Sequence, residues 1–161
     1  MGIYGNYIIE AKSRKLPNNI KTFDLHSTDA KSYIESDEYL GNLKNNNRIK
    51  DFNGEIIVDE ETKKVVGRFL IGTGKDEGFI GAVRVADSYQ GKGLGYKLLD
   101  DAVKKYNGID LVVLKDNKIA YNMYKNYGFV VIKILGKNKN EYYMKLKTKL
   151  SKDDNIININ D

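Results

Sequence analysis

The chain has 161 residues, 41% of them hydrophobic and 30% charged, with one proline and a formal net charge of +5 from lysines scattered along its length. This is enough apolar material for one compact domain with a core, and it excludes a disordered or fibrous chain. The lack of cysteine removes disulfides, thiolate metal sites and cysteine nucleophiles.

The first strand candidate is Tyr4–Ala11, closed by Pro17 and the Asn18-Asn19 pair. After a loop, Ser27 or Thr28 caps a helix through Ala30, Tyr33, Ile34 and Tyr39, with Gly41 and the Asn45-Asn46-Asn47 run ending or interrupting it. Three β-rich runs follow, Glu55–Asp59, Lys64–Ile71 and Gly78–Val85, joined by short polar loops as an antiparallel meander.

Leu94, Leu98, Leu99, Ala102, Val103 and Tyr106 then recur at helical spacing, with Lys97, Asp100, Asp101, Lys104 and Lys105 on the other side. Asp110–Leu114 reads as a strand buried on both faces, and a strand-helix-strand unit favours parallel pairing with the last meander strand. A second helix spans Asn117–Tyr127, with Ile119, Ala120, Met123, Tyr124 and Tyr127 on one side and Gly128 to stop it. Strands Phe129–Leu135 and Tyr142–Lys147 form a closing hairpin. The expected organisation is one domain over residues 1–150 and a mobile tail over 151–161.

No apolar run reaches membrane-spanning length, and the start Met1-Gly2-Ile3-Tyr4-Gly5-Asn6 carries neither a signal-peptide pattern nor a myristoylation site. A soluble cytoplasmic protein without a membrane partner is expected.

Gln90-Gly91-Lys92-Gly93-Leu94-Gly95 lies between a strand and a helix. Glycines there allow positive φ and close approach, and the helix start offers unsatisfied N–H groups and a positive dipole end, so the turn suits phosphate. Alone, the string also fits a flexible connection or a helix-packing turn. A dinucleotide fold would place it near the start of an alternating parallel unit, and a P-loop would end in Gly-Lys-Ser/Thr, so neither matches.

With its neighbours, the turn resembles the GNAT superfamily of N-acetyltransferases, whose signature Gln/Arg-x-x-Gly-x-Gly/Ala opens a helix after the fourth strand. Asn117, Ala120, Tyr124 and Gly128-Phe129 match the family's second motif, Asn-x-x-Ala-x-x-Leu/Met-Tyr-x-x-x-Gly-Phe. The resemblance covers residues 55–147 closely and the N-terminal elements in outline. It implies an α+β fold: a mixed central sheet of six to seven strands flanked by helices, splayed between the fourth and fifth strands. It also implies acetyl coenzyme A as co-substrate and acetyl transfer to a primary amine by direct attack in a ternary complex.

Residue by residue, the resemblance implies that Val83, Arg84 and Val85 lie along the pantetheine arm and that Gln90, Gly91, Lys92, Gly93, Leu94 and Gly95 bind the diphosphate. Asn117 would contact the cofactor arm, and Tyr124 would be the general acid for the departing thiolate. A phenol of ordinary pKa, about 10, is protonated at neutral pH and suits that role. An oxyanion donor is expected from main-chain N–H near Arg84 or Val85.

The attacking amine must first lose a proton. Many relatives place a glutamate on the fourth strand for this, but Gly78–Val85 has no carboxylate, and the nearest are Asp76 and Glu77 in the preceding loop. Glu77 is the candidate base; a solvated hairpin residue is the competing reading. The gap also admits a catalytically silent, acyl coenzyme A-binding or structural module. His26 reads as a surface or capping residue, and no metal constellation is visible. The acidic group Glu35, Asp37 and Glu38 could attract a cationic acceptor, or simply solvate an exposed helix face. Twelve tyrosines among the lysines invite base stacking, but they are spread through every element, which argues against nucleic acid as a partner. The amine acceptor is the main partner expected, and a second copy in a homodimer is a further candidate.

Overall fold

A computed structural model describes residues 16–160, and the strand expected over Tyr4–Ala11 lies outside them. The described chain divides into two compact units, residues 16–108 and residues 109–160.

The first unit carries β1 (Ile20–Asp24), β2 (Phe52–Asp59), β3 (Lys64–Gly72) and β4 (Phe79–Val85), antiparallel and adjacent in chain order. The meander was legible; β1 falls where a loop was expected. Its five residues bury only Ile20 fully, so the alternation is too short and polar to announce a strand. The expected helix from Ser27 becomes two 3₁₀ turns, Asp29–Ser32 and Ile34–Ser36, followed by α1 (Glu38–Asn45). Asp37 caps α1, its carboxylate accepting from the Leu40 N–H at 3.0 Å, while the Ser27 hydroxyl serves only the first 3₁₀ turn, accepting from the Ala30 N–H at 3.3 Å. Gly41 lies inside α1 and does not end it.

These turns cover one face of the meander, where Leu25, Ala30, Ile34 and Leu40 meet Ile56, Val58, Val65 and Leu70. α2 (Leu94–Tyr106) covers the other, packing across β2, β3 and β4. Leu98 and Leu99 are fully buried beneath it, each contributing about 1.5–3 kcal/mol by area. Gly67 on β3 lets α2 approach, since a Cβ there would stand 3.3 Å from a Leu98 methyl. One position departs from the expected outer face: Asp101 points inward and is buried.

The second unit holds β5 (Asp110–Leu114), α3 (Lys118–Tyr127), β6 (Phe129–Leu135) and β7 (Glu141–Leu146), with β7 antiparallel to both β5 and β6. β5 alternates rather than being buried on both faces: Leu111 and Val113 are buried, whereas Leu114 is 53% exposed. On α3 the inward positions are Tyr121 and Tyr124, and Ile119 is 83% exposed. Apolar residues occur around much of this helix, and aromatic bulk decides its orientation; Tyr121 packs on Tyr142 with centroids 5.3 Å apart. Residues 151–160 have no regular structure but are tied back by Lys145–Asp154 at 2.9 Å and by the Ile157 N–H donating to Val131 O at 2.8 Å. Among the described residues, no helix is long and apolar enough to cross a membrane.

Candidate active site

The chain leaving β4 is braced before it reaches the glycines. The Ala86 N–H donates to Val66 O at 2.9 Å, and a 3₁₀ turn over Asp87–Tyr89 follows. The Gln90 side-chain amide donates to Val85 O at 3.0 Å, folding the loop onto the strand end. The Tyr89 hydroxyl donates to the Asp59 carboxylate at the end of β2, which also accepts from the Asn19 amide at 3.1 Å. These hydrogen bonds, Tyr89 first and then Asn19, hold Asp59 below the usual carboxylate range.

Gly91 and Gly93 then adopt φ of 77° and 83°, the left-handed region that L side chains avoid. Gly93 is the N-cap of α2; no side chain caps the helix, and its first turn carries no acid. A Cβ on Gly91 would meet nothing within 4 Å, so backbone conformation, not internal crowding, calls for glycine there, and the outer approach stays open. The Lys92 ammonium lies 5.3 Å from the Tyr89 ring centroid, beside a cleft of about 600 Å³ lined by Asp59, Tyr89, Lys92 and Leu94 among others. An uncapped helix start, a positive dipole end and a neighbouring lysine are the donor set a diphosphate requires.

β4 carries a second device, which the sequence did not reveal. Its register with β3 runs Arg68↔Arg84 and then jumps to Leu70↔Gly81, so Ala82 and Val83 together face Phe69 in a β-bulge. Ala82 sits at φ 52°, a conformation costing a non-glycine residue about 1–2 kcal/mol. A bulge takes main-chain groups off the ladder, and such strain persists where surrounding structure imposes it, often at ligand sites. Val83 and Val85 are half-buried and Arg84 is exposed.

In the second unit, Tyr124 is buried against Phe129, with ring centroids 6.2 Å apart. Burial pushes its phenol up to about 12. Asn117 is exposed and caps α3, its side-chain oxygen accepting from the Ala120 N–H at 3.2 Å. The sequence marked both residues; the capping role of Asn117 stands beside the expected cofactor contact.

The acetyltransferase (GNAT) family profile matches residues 20–129. The chain belongs to the GNAT family. Its structural relatives share the fold at low identity. AtaTR bound with AcCoA aligns at TM-score 0.55 and 20% identity, over 82% of this chain and 96% of that one. The NatC complex bound to Gag peptide and CoA aligns at TM-score 0.55 and 18% identity, over 78% and 96%. Escherichia coli ElaA aligns at TM-score 0.52 and 15% identity, over 78% and 97%. No curated protein matches the sequence significantly.

Other candidates read differently in this GNAT chain. Glu77 is exposed in the β3–β4 loop. His26 is exposed, its ring nitrogen 2.5 Å from Phe52 O. The acidic group before and within α1 is not a free patch: Asp37 is buried against Arg68 at 2.8 Å, and Glu35 pairs with Lys44 at 3.1 Å.

A buried carboxyl pair went unread. Glu55 on β2 is 3% exposed, hydrogen-bonded to Asp101 on α2. Burial first, then Asp101, pushes Glu55 up to about 8. Asp101 is held below the usual range despite its burial by the Glu55 hydrogen bond and by Lys97, 2.7 Å away. The pair therefore shares one proton at neutral pH. Position 101 falls three residues after Leu98, on the inward face, and only its residue type suggested otherwise.

Proposed function

We propose that this GNAT member transfers the acetyl group of acetyl coenzyme A, the family's co-substrate, to a primary amine by direct attack in a ternary complex. The observation that carries the reading is the turn at Gly91 and Gly93, which opens an uncapped α2 to an anion. The AcCoA and CoA held by AtaTR and NatC support a nucleotide thioester as the anion's owner. Gln90, Gly91, Lys92, Gly93, Leu94 and Gly95 would hold the diphosphate. Main-chain groups of Val83, beside the bulge, and of Arg84 and Val85, which remain paired with β3, would follow the pantetheine arm.

In the reaction the amine lone pair forms the C–N bond at the thioester carbonyl, the tetrahedral oxyanion collapses, and the C–S bond breaks. A main-chain N–H of the bulged strand would stabilise the oxyanion. The ammonium proton leaves through water, with no β4 carboxylate to take it.

Tyr124 would serve the departing thiolate, and its environment defines how. With the phenol near 12 and an ordinary thiol near 8.5, full transfer of its proton is roughly 5 kcal/mol uphill. A hydrogen bond donated to the developing charge, with solvent supplying the final proton, fits better than outright protonation.

Calorimetric titration with acetyl coenzyme A, followed by thiol release across a panel of amines, tests this. Saturable binding and amine-dependent release are expected. Absence of binding defeats the proposal, and binding without turnover on any amine turns it into a silent acyl coenzyme A-binding module.

A further inference from the structure

A second cavity in the 16–108 unit, of about 560 Å³, lies on the side of the meander covered by the 3₁₀ turns and α1. Arg68 and Arg84 face each other across the β3–β4 ladder and both line it, with Glu38, Tyr39 and Asn42 on the rim. Like charges directly opposite on a ladder repel, so the arrangement needs neutralising.

Asp37 supplies one negative charge, accepting from Arg68 Nη1 at 2.8 Å. Its other oxygen is engaged as the α1 cap. The Arg68 side chain is 10% exposed, lies over the Tyr39 ring at 5.0 Å, and leaves its Nε buried without a hydrogen-bond partner. An unmet buried donor of this kind is costly, and more so on a charged group. Arg84 is exposed and has no ion pair among the described residues. One guanidinium is thus half-satisfied and rigid, and the other is free to close on whatever the first holds.

Resting on the acetyl-transfer reading, we infer that this arginine pair recognises the acceptor, and that the acceptor carries an anionic group, carboxylate or phosphate, beside its amine. Both groups present the planar or forked oxygens that guanidinium donors match. The two guanidinium groups disfavour acceptors that are purely cationic, and the Glu38 carboxylate on the same rim suits the acceptor's own ammonium. The inference reverses the attraction expected from Glu35, Asp37 and Glu38, because Asp37 is already consumed by Arg68 and Glu35 by Lys44.

The test is an NMR titration of the full chain without acetyl coenzyme A, following the Arg68 Nε–Hε resonance at constant ionic strength. O-phosphoethanolamine and glycine are the anionic probes; ethanolamine and glycinamide are their controls. A saturable shift with an anionic probe and none with its control is expected, and the probe that saturates identifies phosphate or carboxylate. Arg68→Gln would strand the buried Asp37 and endanger folding, so Arg84→Gln is the variant: affinity for the saturating probe should fall about ten-fold. No saturable shift with either anion, equal shifts with the controls, or full affinity in Arg84→Gln overturns the inference. Acetyl coenzyme A binding is measured separately, so each reading fails by its own result.

Discussion

α2 and α3 begin in opposite ways. α3 is closed by a side chain, Asn117, whose oxygen takes the Ala120 N–H. α2 is longer, 13 residues against 10, yet starts from Gly93 in the left-handed region with no side-chain cap. A cap is typically worth about 1 kcal/mol, so a helix that forgoes one keeps its first-turn donors for something else. The bracing of the preceding loop by Asp59, Tyr89 and Gln90 fits this: the turn is held in place by contacts outside the helix it opens.

Closing α2 from within is the strongest way to break the contrast. Asp tolerates the left-handed region better than most residues, so Gly93→Asp should place a carboxylate over the first-turn N–H groups while changing unfolding stability by no more than about 1 kcal/mol. Affinity for acetyl coenzyme A should fall about a hundred-fold, roughly 3 kcal/mol, by calorimetry. Unchanged affinity would mean that the uncapped start has no ligand role.

The next effect belongs to the second unit. If Tyr124 serves the departing thiolate as proposed, Tyr124→Phe should lower kcat by about ten- to a hundred-fold with little change in the KM for acetyl coenzyme A, because that role begins only once charge reaches sulfur. With burial holding the phenol near 12, the wild-type rate should show no loss from tyrosine ionisation up to about pH 10. A descending limb that disappears in Tyr124→Phe would show a phenol of much lower pKa.

Legibility followed the distance over which each feature is encoded. The α2 helix was readable from Leu94, Leu98 and Ala102, and β5 from Asp110–Leu114, because periodicity and glycine placement are local signals. The glycine turn before α2, with Gly91 and Gly93 at positive φ, was readable for the same reason. The Tyr89–Asp59 brace, the Arg68–Asp37 pair and the Glu55–Asp101 pair join residues 30, 31 and 46 positions apart, and no local pattern announces them. β1 escaped because Ile20 is its only fully buried residue, and the bulge at Ala82 because nothing in Gly81-Ala82-Val83 demands a positive φ.

The Glu55–Asp101 pair couples α2 to the sheet beneath it, and pH reads that coupling. A carboxyl that holds its proton more tightly in the fold than in the unfolded chain costs stability as pH rises between the two values, here from about 4.5 to about 8. Asp101, held below its usual range, contributes stability that is complete by about pH 5 and does not distort this interval. Denaturant unfolding should therefore show wild-type stability falling by about 2 kcal/mol from pH 5.5 to pH 8.5, a discounted share of the full shift. Glu55→Gln should flatten the curve; an equally steep curve in the variant would place the titrating group elsewhere.

The smallest effect tests the capped helix directly. If Asn117 serves α3 alone, Asn117→Ala should lower unfolding stability by about 1 kcal/mol and leave acetyl coenzyme A affinity within about two-fold, while Asn117→Ser, which restores a capping oxygen, should recover most of the stability. If Asn117 also contacts the cofactor arm, as the family motif implies, Asn117→Ser should regain stability but not affinity, because a shorter hydroxyl can cap the helix without reaching a ligand. Paired with Gly93→Asp, the result separates the two helix starts: adding a cap should cost binding at α2, and removing one should cost folding at α3. An affinity loss in Asn117→Ser as large as that in Gly93→Asp would erase the contrast and give the start of α3 a ligand role as well.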